Sequence, residues 1–338
     1  MTTLRLAAAR ASSCARCSEQ SGNRDWRRNC FDVRMRRAPL IAAAFALAVG
    51  LVLRAAFAFA QEGPAAPAER IDTLKRIGDT ATLTVGVRES SVPFSFVDAQ
   101  NQPQGYSVDL CLRIADAIKK ELKLSRLDVR FLPVTSANRI EMVKRGKIDL
   151  ECGSTTNTRE RQKDVAFTYT TFVTGIKMLA RRKSNIDDID DLRGKTVVVT
   201  KGTASEKMLK QLNEDRMMNL DILETNDHRE AFAAVENGRA VAFPMDDVLL
   251  YGLISKARKP GEFAVVGKYL SVEPYAIMLR RNEPAFERLV DRALNEMFQS
   301  GEVARIYARW FATPDLTVPM NAYLKEAFAV PNTYPAWP

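Results

Sequence analysis

The segment Glu-Cys-Gly-Ser-Thr-Thr-Asn-Thr-Arg-Glu-Arg occupies residues 151–161, between two apolar segments that are predicted to be strands, 148–151 and 165–170. It places backbone N–H groups and hydroxyls at the C-terminal end of a strand, with an arginine a few residues later. The arginine offers a bidentate fork and the turn offers neutral donors, which suits a small carboxylate. A polar surface loop with an exposed arginine explains this segment equally well, so the rest of the chain has to decide.

Strands and helices alternate on the N-terminal side of this segment. Apolar residues alternate at 82–87 and again at 127–131, and both segments are predicted to be strands. Between them, apolar residues recur every fourth position at 110–118, which predicts a helix capped by Ser107. With a second helix and strand 148–151, the order is β-α-β-α-β, the pattern of a doubly wound parallel sheet.

A second unit of the same kind follows on the C-terminal side. It has a Val-rich strand at 195–200 and later strands at 220–224 and 240–245. Helices are predicted at 206–213, 228–236 and 248–256. Two similar α/β lobes are therefore the simplest architecture.

Two long, mostly apolar segments, 165–179 and 263–279, are predicted to cross between the lobes, and helices at 283–298 and 303–311 return to the first lobe. The predicted domains are a spurious N-terminal extension (1–34), a signal peptide (35–60), lobe 1 (70–170 and 272–338) and lobe 2 (171–271).

The leader accounts for most of the net charge. Of the formal +9, residues 1–60 carry +7, because they hold ten arginines and three acidic residues. The body of the chain has no basic tract suited to nucleic acid. From Met35 on, two arginines precede an apolar run at 38–53, and Ala58-Phe59-Ala60 is a small-x-small cleavage sequence, which predicts secretion with cleavage near Ala60.

Cys111 and Cys152 are the cysteines that remain after that cleavage. An even number in an oxidising compartment is compatible with one disulfide. Two buried free thiols fit the sequence equally well, because sequence separation does not show whether the side chains meet. Upstream, Cys14 and Cys17 have the spacing of half a zinc site, but no second pair follows, so no metal is predicted.

Polar side chains end the strands or begin the helices of both units. In open α/β sheets, ligands bind at the C-terminal ends of strands and at helix N-termini. If the lobes face each other, three arginines, one aspartate, the single histidine and several hydroxyls line one cleft. The candidates are Arg88, Ser136, Arg139, Ser154, Thr156, Arg161, Thr203, His228 and Asp246.

This set is complementary to an amino acid with a second acid group. An α-carboxylate needs an arginine and neutral donors, an α-ammonium needs a carboxylate such as Asp246, and a second carboxylate needs another cation. Charge-assisted hydrogen bonds contribute roughly 1.5–3 kcal/mol each, so several of them offset the desolvation cost. A neutral amide side chain would leave two arginines poorly paired, which argues against glutamine.

Each charged candidate also has a structural alternative. Arg161 could pair with Glu160 or Asp164 on a solvated face. Asp246 could cap the helix that follows it, although Asp247 could do so instead. His228 lies near a helix start as well, where it could serve as a cap or as an ordinary surface residue. Arg88 and Arg139 could be plain surface charges.

At these residues the chain resembles the periplasmic amino-acid-binding proteins of ABC importers (bacterial solute-binding protein family 3), and among them the glutamate/aspartate-binding proteins. The resemblance covers about residues 70 to 335. The matching motifs are GVRESSVPFSF (86–96), GYSVDL (105–110), PVTSANRI (133–140), DLECGSTTNTRERQKDVAF (149–167), VVVTKGTASE (197–206) and GRAVAFPMDD (238–247).

The resemblance implies a type II periplasmic-binding-protein-like α/β fold of two lobes joined by two crossing strands. It also implies that Arg161 holds the α-carboxylate of the ligand and Asp246 its α-ammonium. The hydroxyl donors to the α-carboxylate would be Ser154, Thr156 and Thr203, and the pocket for the second carboxylate would comprise Arg88, Ser136, Arg139 and His228.

The implied function is capture of L-glutamate and/or L-aspartate in the periplasm and delivery to ABC permease subunits at the inner membrane, by a monomer without a cofactor. No Ser-His-Asp, Cys-His or metal-ligand pattern indicates an enzyme. The alternatives are a sensor domain acting through a membrane partner, an enzyme on the same fold, and glutamine as the ligand.

Overall fold

The structure is a computed structural model that describes residues 72–336. The predicted extension 1–34 and signal peptide 35–60 lie outside the described residues. Within 72–336, none of the helices is long and apolar enough to span a membrane.

The described part of the chain alternates strands and helices, as the apolar patterns predict. The strands are β1 (Thr82–Val87), β2 (Ser90–Ser91), β3 (Ser95–Val97), β4 (Pro103–Gln104), β5 (Asp128–Pro133), β6 (Leu150–Glu151), β7 (Val165–Phe167), β8 (Phe172–Thr174), β9 (Ile176–Arg181), β10 (Thr196–Thr200), β11 (Asp221–Thr225), β12 (Ala242–Asp246), β13 (Phe263–Val266), β14 (Glu273–Tyr275) and β15 (Met278–Arg280). The α-helices are α1 (Thr73–Thr80), α2 (Tyr106–Glu121), α3 (Arg139–Lys144), α4 (Ala204–Asp215), α5 (His228–Glu236), α6 (Asp247–Ser255), α7 (Pro284–Gln299), α8 (Glu302–Phe311) and α9 (Ala322–Ala329).

The first sheet has the strand order β5-β1-β6-β15-β7. Strands β5, β1 and β6 are parallel, and β15 is antiparallel to its neighbours β6 and β7. The helices α2 and α3 make the crossovers, so the predicted β-α-β-α-β unit is confirmed. The apolar face of α2, with Leu110, Ile114 and Ile118, is fully buried, as its four-residue spacing predicts.

The second sheet has the strand order β11-β10-β12-β9-β13. Strands β10, β11 and β12 are parallel, whereas β9 is antiparallel to β12 and β13. The consecutive valines of β10, Val197 to Val199, are fully buried. A parallel strand covered on both faces requires such a continuous apolar run.

Two crossing strands join the lobes. Strand β8 pairs antiparallel with β14, with Thr174 opposite Glu273 and Phe172 opposite Tyr275. The predicted crossing segments, 165–179 and 263–279, were too long, because their ends are held in the ladders of the two main sheets. The lobe boundaries at 170/171 and 271/272 stay a prediction.

Ser107 does not cap α2, contrary to prediction. The N-cap residue is Gly105, and the Ser107 hydroxyl donates a hydrogen bond to the carbonyl of Gly153 at 2.7 Å. Gly105 has φ of 133°, and an ideal Cβ on it would lie 2.3 Å from the carbonyl oxygen of Phe94. The helix therefore begins where the backbone approaches β3 too closely for any residue with a side chain.

The C-terminal residues pack on the first lobe and on the crossing strands. Ile306, Tyr307 and Phe311 of α8 are buried core residues. After α8 the chain returns to the crossing strands, where the Asn321 side chain donates to the carbonyl of Val173 at 2.8 Å. The crossing is thus braced by a segment far away in sequence.

Cys111 and Cys152 form a disulfide. The bond links α2 to the residue that follows β6, immediately before Gly153. It therefore ties the start of the polar segment 151–161 to the core of the first lobe.

Candidate ligand-binding site

The structure brings all nine predicted site residues to the facing ends of the two sheets. Arg161 is partly buried and the other eight are buried. Arg88 follows β1, Ser136 and Arg139 follow β5, and the segment 154–161 follows β6. In the second lobe, Thr203 precedes α4, His228 begins α5 and Asp246 ends β12. Buried positions exclude the surface-charge alternative for Arg88 and Arg139.

The lobes contact each other beside these residues. The Arg161 guanidinium donates through Nη2 to the carbonyl of Gly202 at 3.1 Å. An ideal Cβ on Gly202, which has φ of 76°, would lie 2.6 Å from Cα of Ala137. A glycine is thus needed where the turn before α4 meets the turn after β5.

Arg161 does not form the surface ion pairs considered from the sequence. Glu160 pairs with Lys207, and Asp164 pairs with Lys144. Arg161 instead donates through Nη1 to the carbonyl of Thr156 at 2.8 Å. Burial, and then the charge of Arg139, lower its pKa to about 10. Arg161 thus lies where the two lobes meet and donates to backbone carbonyls rather than to a surface carboxylate, so its charge can act on an anion bound there.

Arg139 and Arg88 form a buried pair of cations. Arg139 donates through Nη1 to the Thr155 hydroxyl at 2.5 Å and to the Ser154 carbonyl at 3.3 Å. Burial is the main cause that lowers the pKa of Arg139, and burial followed by the charge of Arg139 lowers that of Arg88 to about 9. In both cases desolvation of the charged guanidinium outweighs the nearby carboxylate of Glu151, which acts in the opposite direction.

His228 is buried at the start of α5 and does not cap it. The capping carboxylate belongs to Asp227, which accepts hydrogen bonds from the backbone N–H groups of Arg229 and Glu230. The Nδ1 of His228 lies 3.0 Å from the Thr200 hydroxyl. Burial, followed by the charges of Arg88 and Arg139, holds its pKa well below the usual value, so the ring is neutral and can donate one hydrogen bond.

Asp246 is the N-cap residue of α6 but makes no capping hydrogen bond through its side chain. Its Oδ2 accepts from the Tyr275 hydroxyl. The capping role foreseen for Asp247 is also wrong, because its carboxylate accepts from the hydroxyls of Thr174 and Tyr269. Burial, and then the charge of Glu273, raise the pKa of Asp246 to about 8.

The Thr203 hydroxyl is engaged within its own lobe. It donates to the carbonyl of Thr200 at 2.7 Å and accepts from the N–H of Glu206 at 3.1 Å. Because the hydroxyl hydrogen is already donated to Thr200, Thr203 would contribute to anion binding through the backbone N–H groups at the N-terminus of α4.

Several buried polar atoms at this junction have no hydrogen-bond partner within residues 72–336, and they come from both lobes. Buried polar groups are normally paired, so such a group of exceptions indicates a ligand. The potential donors are Arg88 Nη1, Arg139 Nε, His228 Nε2 and the hydroxyls of Ser90, Ser91, Ser136 and Ser154; the acceptors are Glu151 Oε1, Asp246 Oδ1 and Glu273 Oε2. The donors suit carboxylates, and an acceptor such as Asp246 Oδ1 suits an ammonium group.

Sequence reasoning missed five residues of this junction: Ser90, Ser91, Glu151, Glu273 and Tyr275. The two serines come two and three positions after Arg88, so their proximity to Arg88 is evident from the sequence. The other three lie within or at the end of strands, where only the tertiary contacts reveal their role.

Comparisons with known proteins agree with this geometry. Residues 83–313 match the bacterial extracellular solute-binding proteins, family 3. The chain is 44% identical over 293 residues to the L-glutamate/L-aspartate-binding protein of Pseudomonas aeruginosa, covering 85% of this chain and 97% of that protein. It is 42% identical over 288 residues to the glutamate/aspartate import solute-binding protein of Escherichia coli, covering 83% and 95%.

The fold has relatives among solved structures. A crystal structure of a mutant of ArgBP from T. maritima superposes with a TM-score of 0.64 at 25% identity, covering 71% of this chain and 99% of that chain. The chain thus shares its α/β fold with a solved structure over most of its length. The chain belongs to the bacterial extracellular solute-binding proteins, family 3.

Proposed function

We propose that this chain is the solute-binding component of an ABC importer, and that it captures glutamate and/or aspartate between its lobes. One observation carries the proposal, namely the set of buried, unpaired donors and acceptors contributed by both lobes. The relatives named as glutamate/aspartate-binding and import proteins, at 42% and 44% identity over most of the chain, support the same ligand class.

The α-carboxylate of the ligand would be held by Arg161. The neighbouring donors would be the hydroxyls of Ser154 and Thr156 and the backbone N–H groups at the N-terminus of α4, next to Thr203. The α-ammonium would bind Oδ1 of Asp246, whose other oxygen is already held by Tyr275. Charge-assisted hydrogen bonds contribute roughly 1.5–3 kcal/mol each, so these contacts would support binding of any α-amino acid.

The second carboxylate would be recognised by the buried cations of the first lobe. Arg88 Nη1 and Arg139 Nε would donate to it, together with His228 Nε2 and the hydroxyls of Ser90, Ser91 and Ser136. These cations predict that glutamine binds more weakly than glutamate. A neutral amide would offer one acceptor oxygen and no charge to the unpartnered donors Arg88 Nη1 and Arg139 Nε, and buried donors left unpartnered are costly.

The proposed site of action is the periplasm, where the loaded protein would present its ligand to the permease subunits as a monomer. Closure of the two lobes around the ligand would follow from bending at the crossing strands. Binding and release, with no chemical change to the amino acid, are the proposed activity.

Calorimetry on the chain from Gln61, freed of bound amino acid, tests the proposal. Glutamate or aspartate is expected to bind tightly, and glutamine, asparagine and glutarate weakly, because glutarate lacks the ammonium group that Asp246 accepts. Preferred glutamine would show that Arg88 and Arg139 do not meet the ligand. Absence of binding by every amino acid would refute the proposed function.

The Arg139→Ala variant distinguishes the two carboxylate sites. It is expected to weaken glutamate by about 100-fold and glutamine by less than about tenfold, because only glutamate loses a charge-assisted bond. Arg130→Ala is a matched control, since Arg130 lies on β5 and is well exposed. Equal losses for both ligands in Arg139→Ala would place Arg139 outside the second-carboxylate pocket.

A further inference from the structure

The carboxylate of Glu151 is fully buried at the end of β6, beneath the arginines of the site. Its Oε2 accepts from the Thr155 hydroxyl at 2.7 Å. Its Oε1 lies 3.9 Å from Arg139 Nη1 and has no hydrogen-bond partner among the described residues. None of the ligand contacts proposed above involves this carboxylate.

Gly153 provides the space in which Glu151 approaches the arginines. An ideal Cβ on Gly153 would lie 2.2 Å from Glu151 Oε1 and 2.9 Å from Cγ of Arg88. The glycine thus lets the carboxylate and the Arg88 side chain approach the same point. Any larger residue there would displace one of them.

The charge of Glu151 acts on all three arginines of the site. It raises the pKa of Arg139, of Arg88 and of Arg161, against the burial that lowers them. The other carboxylates that act on these arginines are those of Asp227 before α5, Asp246 at the end of β12 and Glu273 on β14. Among the carboxylates of the described residues, Glu151 alone has this effect on both Arg88 and Arg139 while belonging to the same lobe.

We propose that Glu151 is the resident counter-ion of the arginine cluster, and that its charge limits how strongly the site prefers an acidic over a neutral amino acid. This inference rests on the proposed function. A fixed negative charge beside the arginines reduces the positive potential that the second carboxylate of the ligand meets. A neutral ligand side chain is almost insensitive to that potential. Glu151 therefore affects the ratio of the affinity for an acidic amino acid to the affinity for a neutral one.

The geometry separates this electrostatic effect from a structural one. Arg139 is held by the Thr155 hydroxyl and the Ser154 carbonyl, and neither contact is made by Glu151. The Glu151→Gln variant keeps the shape of the side chain and an atom that can bond Thr155. It therefore removes the charge and leaves the main contacts of Arg139 in place.

Calorimetry with glutamate and glutamine on wild type and Glu151→Gln tests the inference. The ratio of the glutamine Kd to the glutamate Kd is expected to rise roughly tenfold, the size expected for removing one nearby charge at intermediate dielectric. An unchanged or lower ratio would overturn the inference. Wild-type protein that does not bind glutamate would instead refute the proposed function, so the two failures are distinguishable.

Asp149→Asn is the matched control. Asp149 is also buried and lies two positions earlier, but it pairs with Arg76 and accepts from the N–H of Thr84, away from the cluster. Its substitution is expected to lower stability and to leave the ratio unchanged. A ratio that shifts equally in both variants would indicate a general effect of losing a buried acid, which contradicts the specific role of Glu151.

A double variant covers the case in which Glu151→Gln does not fold. If Glu151 is the counter-ion, then Arg139→Gln in the same chain removes the excess positive charge and restores folding, which circular dichroism and thermal denaturation measure. Failure of Arg139→Gln to restore folding to Glu151→Gln would overturn the inference. Arg139→Gln is expected to give no such recovery when combined with Asp149→Asn.

Discussion

The hydroxyl of Tyr275 donates a hydrogen bond to Oδ2 of Asp246, and this bond joins the crossing strand β14 to the end of β12 in the second sheet. Asp246 therefore keeps one oxygen, Oδ1, without a partner among residues 72–336. The contact links the group proposed to hold the ligand ammonium directly to a crossing strand, which would bend in the proposed closure of the lobes.

Glutamate affinity is predicted to rise with pH between about 6 and 8. Burial, then Glu273, raise the pKa of Asp246 to about 8, Asp247 adds to the rise, and the Tyr275 hydroxyl and the Arg161 charge oppose it. Below that pKa the carboxyl is neutral, so an ammonium ligand must displace its proton. Affinity then falls as pH falls, by up to about tenfold per unit. Calorimetry across this range checks the slope.

The control for this pH dependence is Asp246→Asn, which has no proton to lose. It is expected to bind glutamate weakly and with an affinity that is flat over the same pH range. An equally steep slope in Asp246→Asn would assign the titration to another group.

Arg161→Ala is predicted to raise the Kd of every amino acid by at least about 100-fold, because the α-carboxylate is common to all of them and a bidentate pair contributes two charge-assisted bonds. Calorimetry with glutamate and glutamine measures the two losses. Arg113→Ala serves as the control, since Arg113 lies on the exposed face of α2. Intact binding by Arg161→Ala would mean that the α-carboxylate binds elsewhere.

Loss of the Cys111–Cys152 disulfide is predicted to lower the free energy of unfolding by about 4 kcal/mol, the loop-entropy estimate for a bond that closes a loop of this length. The two cysteines are 41 positions apart in sequence. Urea denaturation with and without a reductant measures the difference. The Cys111→Ala/Cys152→Ala double variant should already show the lower stability and should not respond to the reductant.

Gly252→Ala is predicted to weaken glutamate binding by tenfold or more, without lowering stability in the absence of ligand. Its Cβ would lie 2.3 Å from the carbonyl oxygen of Val92, which lies between β2 and β3 in the small sheet β2-β3-β4. The added methyl group opposes contact between the lobes, whereas alanine favours the helix by about 1 kcal/mol. Calorimetry and thermal denaturation separate the two effects.

Gly78→Ala is the matched control for Gly252→Ala. Gly78 is also helical, in α1, and an ideal Cβ on it meets nothing within 4 Å. It should gain stability and keep its affinity for glutamate. Equal affinity in both variants would show that α6 and the loop before β3 do not need to meet for binding.

The sequence by itself determined the succession of strands and helices, the two α/β units and the placement of polar residues at strand ends. These features depend on local periodicity. The four-residue spacing of Leu110, Ile114 and Ile118 predicts one buried helix face, and the run of valines in β10 predicts a strand covered on both faces. The positions of Arg88, Arg139 and His228 were predictable for the same reason, since Arg88 and Arg139 follow the ends of strands and His228 starts a helix.

Only the tertiary structure decided how these ends meet. The Cys111–Cys152 bond, the Tyr275–Asp246 hydrogen bond and the length of the crossing ladder all join residues that are distant in sequence. Glu151 ends a short apolar strand, and nothing in the neighbouring sequence distinguishes it from an ordinary exposed carboxylate at the end of a strand. Its burial under the arginines depends on how β6 and the turn after it pack, and no periodic pattern in a single chain encodes that packing.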